Sequence, residues 1–210
     1  VNHGVSGGEN GWRATSKKWR KYFPDTVGSV VDIGPGCPVG VIAGTNAKFP
    51  THYRDAIFLC DWTFATMYAM HLKPDGSSYK GKIDTFVTNI NGSLALTDVD
   101  IGPDGHMYFC VGGRKGQSYL YRVRYTGNQS TELSPLDTSS KHYQARKTRH
   151  SLESFHGAPN PKAIESVWSY LSSEDYHLRY AARIAIEWQN PKTWADKAYN
   201  ETNDIAAIHS

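Results

Sequence analysis

Apolar positions along the chain fall into a doubled pattern. One copy is AIFLCDW (Ala56 to Trp62) followed by MYAMHLKPDG (Met67 to Gly76). The other lies about 50 residues further on: GPDG (Gly102 to Gly105), then MYFCVGG (Met107 to Gly113), then YLYRVRY (Tyr119 to Tyr125). Each copy reads as a short apolar strand, a polar break and a second strand. Such a unit cannot bury its faces alone, so the pattern predicts a radial β-repeat, blades of a β-propeller larger than this stretch.

Around the repeat the signals are local. Residues 1–29 are glycine-dense and lack apolar periodicity, with Trp12 and Trp19 inside them. VGSVVDI (Val27 to Ile33) reads as a strand, GPGCPVG (Gly34 to Gly40) as tight turns, and VGVIA (Val39 to Ala43) as another strand. Pro74-Asp75-Gly76 and Asn91-Gly92 are turn signals; Ile83 to Thr88 and Leu94 to Ile101 are further strands. Residues 126–145 turn polar. Beyond them the period becomes helical, over Pro161 to Leu171, Tyr176 to Gln189 and Thr193 to Tyr199. Ile164, Val167, Trp168 and Leu171 form one stripe; Leu178, Ala181, Ala182, Ala185 and Ile186 form another. The expected organisation is propeller blades over 1–127, a linker over 128–145 and a HEAT-like α-helical segment over 146–210.

Composition bounds the function. Of the 210 residues, 39% are hydrophobic, and no run approaches the roughly 20 apolar residues of a membrane span. A net charge of +3, from 23 basic and 20 acidic residues, is too balanced to argue for nucleic acid. The run KKWRKY (Lys17 to Tyr22) reads as a solvated basic loop, with an anion contact as the alternative. Val1 to Gly8 has neither an initiating Met nor a signal pattern, so the sequence reads as a fragment or processed product. The three cysteines form no CxxC, which excludes a haem-attachment motif here. Cys60 and Cys110 occupy matching places in the two copies. They read as small core hydrophobes, with a bridge between them left open.

Several residues have the chemistry of sites. Asp61 and Asp98 sit near strand ends, where each either meets a ligand or fixes a turn through a local hydrogen bond. Arg114, in the glycine-rich GGRKG loop, can present its guanidinium to an anion. Asp32 precedes the forced turns of DIGPG, where carbonyls and carboxylates together suit Ca²⁺. His3 and His52 fall in loops and His71 in a strand. No HExxH, GxSxG, GxGxxG or Walker loop is present, so zinc-protease, hydrolase and nucleotide readings find no support.

The residues NGWR (Asn10 to Arg13), DIGPGCPVG (Asp32 to Gly40), YRDAIFLCDW (Tyr53 to Trp62), LTDVDIGPDGHMYF (Leu96 to Phe109), GGR (Gly112 to Arg114) and LYRV (Leu120 to Val123) carry a resemblance. Together they resemble the closing blades of large planctomycete and verrucomicrobial membrane-bound dehydrogenase-like proteins, related to glucose/sorbosone dehydrogenases that use pyrroloquinoline quinone (PQQ). The resemblance implies a periplasmic or secreted oxidoreductase acting on a sugar or other alcohol. PQQ and Ca²⁺ would sit in a central funnel, and electrons would pass to a cytochrome c domain or partner whose haem lies outside this chain. It implies a catalytic histidine upstream of Val1 and makes Arg114 a candidate funnel arginine; with the residue readings above, Arg114 and Asp98 are the candidates for the cofactor, and Asp32 and Asp61 for the metal. The alternative is a non-catalytic propeller and solenoid module that binds carbohydrate or protein.

Overall fold

A computed structural model of the chain describes residues 1–10, 23, 26–90, 92, 94–113 and 115–210. Trp12, Trp19 and the basic run from Lys17 to Tyr22 lie outside the described residues. Seven strands are formed: β1 (Pro38–Ala43), β2 (Ala56–Asp61), β3 (Thr66–Asp75), β4 (Ser78–Thr88), β5 (Leu96–Ile101), β6 (Met107–Val111) and β7 (Tyr119–Val123). The helices are α1 (Thr51–Arg54), α2 (Lys141–Glu153), α3 (Ala163–Val167), α4 (Tyr176–Glu187), α5 (Ala195–Tyr199) and α6 (Asp204–His209), with short 3₁₀ turns between some of them. The chain divides into two compact units. A sheet unit comprises Val31–Lys73 and Lys80–Leu136; a helical unit comprises Val1–Val30, Pro74–Tyr79 and Asp137–Ser210.

In the sheet unit, β2 is apolar up to its last residue, Asp61, because both of its faces are covered. Phe58 and Cys60 point into one cluster, which also takes Met67 and Ala69 of β3. Leu59 and Ile57 point the other way, toward Val31, Ile33, Met70, Leu72 and Ile83. This is strand alternation with period 2. β1 to β4 form one four-stranded sheet in chain order, and β5 to β7 form a separate three-stranded sheet. Leu96, Val99, Met107, Phe109 and Val111 of the second sheet enter the same cluster as Phe58 and Cys60. β1 and β5 approach closely at Gly40, where a Cβ would meet the Asp98 Cα at 3.1 Å. Both strands are irregular there, at Pro38/Gly40 and Leu96/Asp98.

The expected β-propeller blades are not what forms. The doubled pattern places strands correctly, but its copies enter two open sheets of unequal size, which neither close nor curl. Each sheet covers a face of the other across one shared core, so no ring of further blades is implied by the pattern. Val27 to Ile33, expected as a strand, is irregular with only an isolated bridge of Ser29 to Asn2. Its apolar residues are divided: Val27 packs with Tyr180 and Ile184, whereas Val31 packs with Leu59 and Met70. Cys60 is fully buried, Cys110 is exposed, and neither is bridged. Burial pushes the Cys60 thiol up to about 12, with Asp98 adding to the effect.

The helical unit follows its stripes. Val167, Trp168 and Leu171 pack with Leu178, Ala181, Ala182, Ala185 and Ile186, joined by Leu152 and Ala206. This is one small core around α4. Among the described residues only α2 and α4 exceed two turns and the other helices are short, which corrects the expected HEAT-like solenoid. Asp175 caps α4, accepting from the His177 and Leu178 amides at 3.0 and 3.3 Å. The same carboxylate accepts from the Ser77 amide and hydroxyl at 2.6 and 2.7 Å. Gly76, at φ +57°, permits this approach, since a side chain there would collide with the Asp175 carboxylate. His3 stacks on His177 at 5.5 Å between centroids and shares a 2.8 Å hydrogen bond with the Ser78 hydroxyl.

Two outcomes follow from this packing. Phe58→Ala empties the centre of the sheet unit and is expected to cost about 3–5 kcal/mol, read from the midpoint of urea unfolding. The second concerns pH. Burial lowers the pKa of both His3 and His177. Arg149 adds to the effect on each and His3 adds to that on His177, against the opposing charges of Glu153, Asp175 and Asp75. The folded state therefore binds fewer protons than the unfolded state below the ordinary histidine value of about 6.5. Stability of the helical unit should fall as pH drops from about 6.5 toward the lower folded values. In His3→Gln this acid sensitivity should shrink, measured by thermal melts across the same range.

Candidate metal centre

The centre is built on three elements of the sheet unit. α1 is a single turn entered from Pro50, whose carbonyl accepts from the Tyr53 and Arg54 amides at 2.8 and 3.0 Å. So short a helix does not hold itself. Its ends are fixed by the surrounding loops: the Thr51 hydroxyl donates to the Glu132 carbonyl at 2.6 Å, and the Arg54 guanidinium donates to the Thr45 and Thr131 carbonyls. Beneath it, Tyr53 lies 5.0 Å from Phe86 and Phe86 lies 4.7 Å from Phe58, ring centroid to centroid. α1 thus carries His52 outward while Tyr53 points into the core.

β3 runs out of the core along one face: Met67 and Ala69 are buried, and His71 is the next residue on that side. β4 does the same from Phe86 to Asp84. His71 Nε2 lies 2.9 Å from Asp84 Oδ1. The His52 ring stacks on His71 with centroids 3.8 Å apart and planes 16° from parallel. One ligand atom from each of His52, His71 and Asp84 lies within 4.8 Å of the others. Donor atoms in a tetrahedral zinc shell are about 3.3 Å apart, so modest side-chain rotation closes the set. Among the described residues this is the only such group.

Two imidazoles and a carboxylate suit a divalent transition ion such as Zn²⁺, Co²⁺ or Ni²⁺. They do not suit Ca²⁺, which takes six to eight oxygens. His52 and Asp84 are exposed and His71 is half-buried, so an ion held by three protein ligands would keep a coordination position open to solvent.

The residues singled out from sequence lie elsewhere. Asp61 is fully buried, and its Oδ1 accepts from the amides of Cys37, Thr63 and Phe64 at 3.0, 2.9 and 3.4 Å. It thereby ties the turn before β1 to the turn after β2. Asp98 is exposed and accepts from the Val99 amide at 2.9 Å; Asp32 is exposed and accepts from the Gly34 amide at 2.9 Å. Arg114 lies outside the described residues. None of the three aspartates belongs to the histidine cluster. Sequence reading missed that cluster because its members are far apart in sequence and follow no short motif. The one usable signal was the hairpin turn at Pro74 to Gly76, which brings the strands bearing His71 and Asp84 side by side.

No protein-family model matches the chain, and no curated protein matches it. Among solved structures, a protein from Thermus thermophilus described as an oxidoreductase (glucose dehydrogenase) is similar over 58% of this chain at 18% identity, with a TM-score of 0.43. The match spans 35% of that protein's length. A likeness so slight and partial carries neither fold nor activity to this chain. The resemblance to the PQQ dehydrogenase-like family is not upheld, because the strands form two open sheets rather than propeller blades, and the quinoprotein function goes with it. Among the described residues nothing indicates PQQ or Ca²⁺ specifically; the donors that do cluster are two imidazoles and one carboxylate. No described helix is long and apolar enough to cross a membrane.

Asp61→Ala should separate a structural carboxylate from a metal ligand. It strands three backbone amides and is expected to cost on the order of 3 kcal/mol in urea unfolding, while Zn²⁺ binding to the folded protein is unchanged. Loss of Zn²⁺ binding in a folded Asp61→Ala protein would reverse that assignment.

Proposed function

We propose that the sheet unit is a metal-binding module for a divalent transition ion, held by His52, His71 and Asp84. The observation that carries this reading is the convergence of three ligand atoms within 4.8 Å from a helical turn and two strands. Their backbones are set by buried packing, so closing the set on an ion needs only side-chain rotation. An ion with three protein ligands keeps a position for water or an external group. That is the arrangement of a binding or Lewis-acid centre, not of a closed structural zinc.

The competing reading is an ion pair between His71 and Asp84 with His52 stacked on it, and Co²⁺ and Zn²⁺ titrations separate the two. The wild-type chain should bind one Co²⁺ with visible d–d absorption, and Zn²⁺ should displace it. Zn²⁺ should raise the melting temperature by binding only the native state. His71→Gln should weaken Co²⁺ binding by at least about 100-fold, more than loss of a supporting group alone would. Equal Co²⁺ binding by wild type and a His52→Gln/His71→Gln double variant leaves only the ion pair.

A further inference from the structure

The face that carries the metal ligands is also a basic surface. On β4, Lys80, Lys82 and Asp84 are exposed while Gly81 and Ile83 between them are half-buried. Ile83 packs with Met70 and Leu72, and a Cβ at Gly81 would lie 3.2 Å from Met70. The odd-numbered set thus lies against the even-numbered residues of β3. Lys82 therefore projects on the same side as Asp84, and on β3 exposed Lys73 projects on the same side as His71. Residues two apart on a strand are separated by about 6.8 Å, and hydrogen-bonded strands by about 4.8 Å. Lysine stems span such distances, so both ammonium groups can reach across the neighbouring His71 and Asp84 side chains.

The geometry points to an oxyanion ligand for this centre: a phosphate or carboxylate group that takes the open metal position through one oxygen while Lys73 and Lys82 hold the others. This rests on the metal-binding reading above. The physical grounds are complementary. A metal ion with only one carboxylate among its ligands keeps a net positive charge, and two ammonium groups beside it add to the attraction for an anion. Lysine acts here as a point charge that tolerates either oxyanion geometry. A neutral ligand gains nothing from the lysines.

The test uses the full chain loaded with one equivalent of Co²⁺, titrated separately with inorganic phosphate and with acetate while the Co²⁺ spectrum is followed. Either anion should change the d–d bands at saturation. Phosphate alone acting identifies a phosphate site, and both acting identifies a general oxyanion site. The Lys73→Gln/Lys82→Gln variant should bind Co²⁺ no more weakly than wild type but bind the anion about tenfold more weakly. If Co²⁺ binds and neither anion alters its spectrum, or if the double variant binds the anion as tightly as wild type, the oxyanion inference fails and the metal site stands. If Co²⁺ does not bind, both fail together.

Discussion

The sheet unit is organised around one buried ring. Phe58 has no solvent exposure and is ringed by Phe49, Tyr53 and Phe86. Those three neighbours come from three different segments: the loop before α1, α1 itself and β4. Edge, tilted and stacked contacts between aromatic rings prefer defined geometries, so these segments have little freedom to slide. His52 follows directly from Tyr53's position, and Asp84 lies two residues from Phe86 on the same strand face. His52, His71 and Asp84 are consequently outgrowths of the core. The placement of their backbones is set by the apolar packing below them.

A second device recurs in both units: one carboxylate that collects several backbone donors. Asp61 gathers three amides from two turns of the sheet unit. Asp175 gathers two amides of α4 and the amide and hydroxyl of Ser77 in the helical unit. In each case a glycine, Gly36 or Gly76, makes room for the carboxylate. Ionised acceptors bind amides more strongly than neutral ones do, and they satisfy donors that irregular backbone leaves open. Loops of both units are thus ordered by charge where strands and helices are ordered by apolar burial.

What was legible in the sequence follows from how local each signal is. The short apolar runs placed β2, β3, β5, β6 and β7, because such a signal needs only neighbouring residues. The stripe Leu178, Ala181, Ala182, Ala185 and Ile186 gave the packing face of α4 for the same reason. Closure was not legible: the doubled strands say that faces must be covered, but not whether by further blades or by each other. Val27 and Val31 looked like one strand because periodicity cannot show that two valines are claimed by different cores. Asp61 was noticed as an acidic strand end, and only its burial reveals which donors it serves. The cluster of His52, His71 and Asp84 was invisible because no residue pattern joins a loop histidine to two strands.

Cys60 gives the sheet unit an internal clock. Its thiol lies in the shared core with its ionisation pushed up to about 12, whereas Cys37 and Cys110 are exposed. Alkylating reagents need both access and thiolate, so in the native state the two exposed thiols react and Cys60 stays silent. Cys60 becomes modified only when the two sheets part. The rate at which a third label appears on the intact chain then measures how often that core opens, without any probe being introduced.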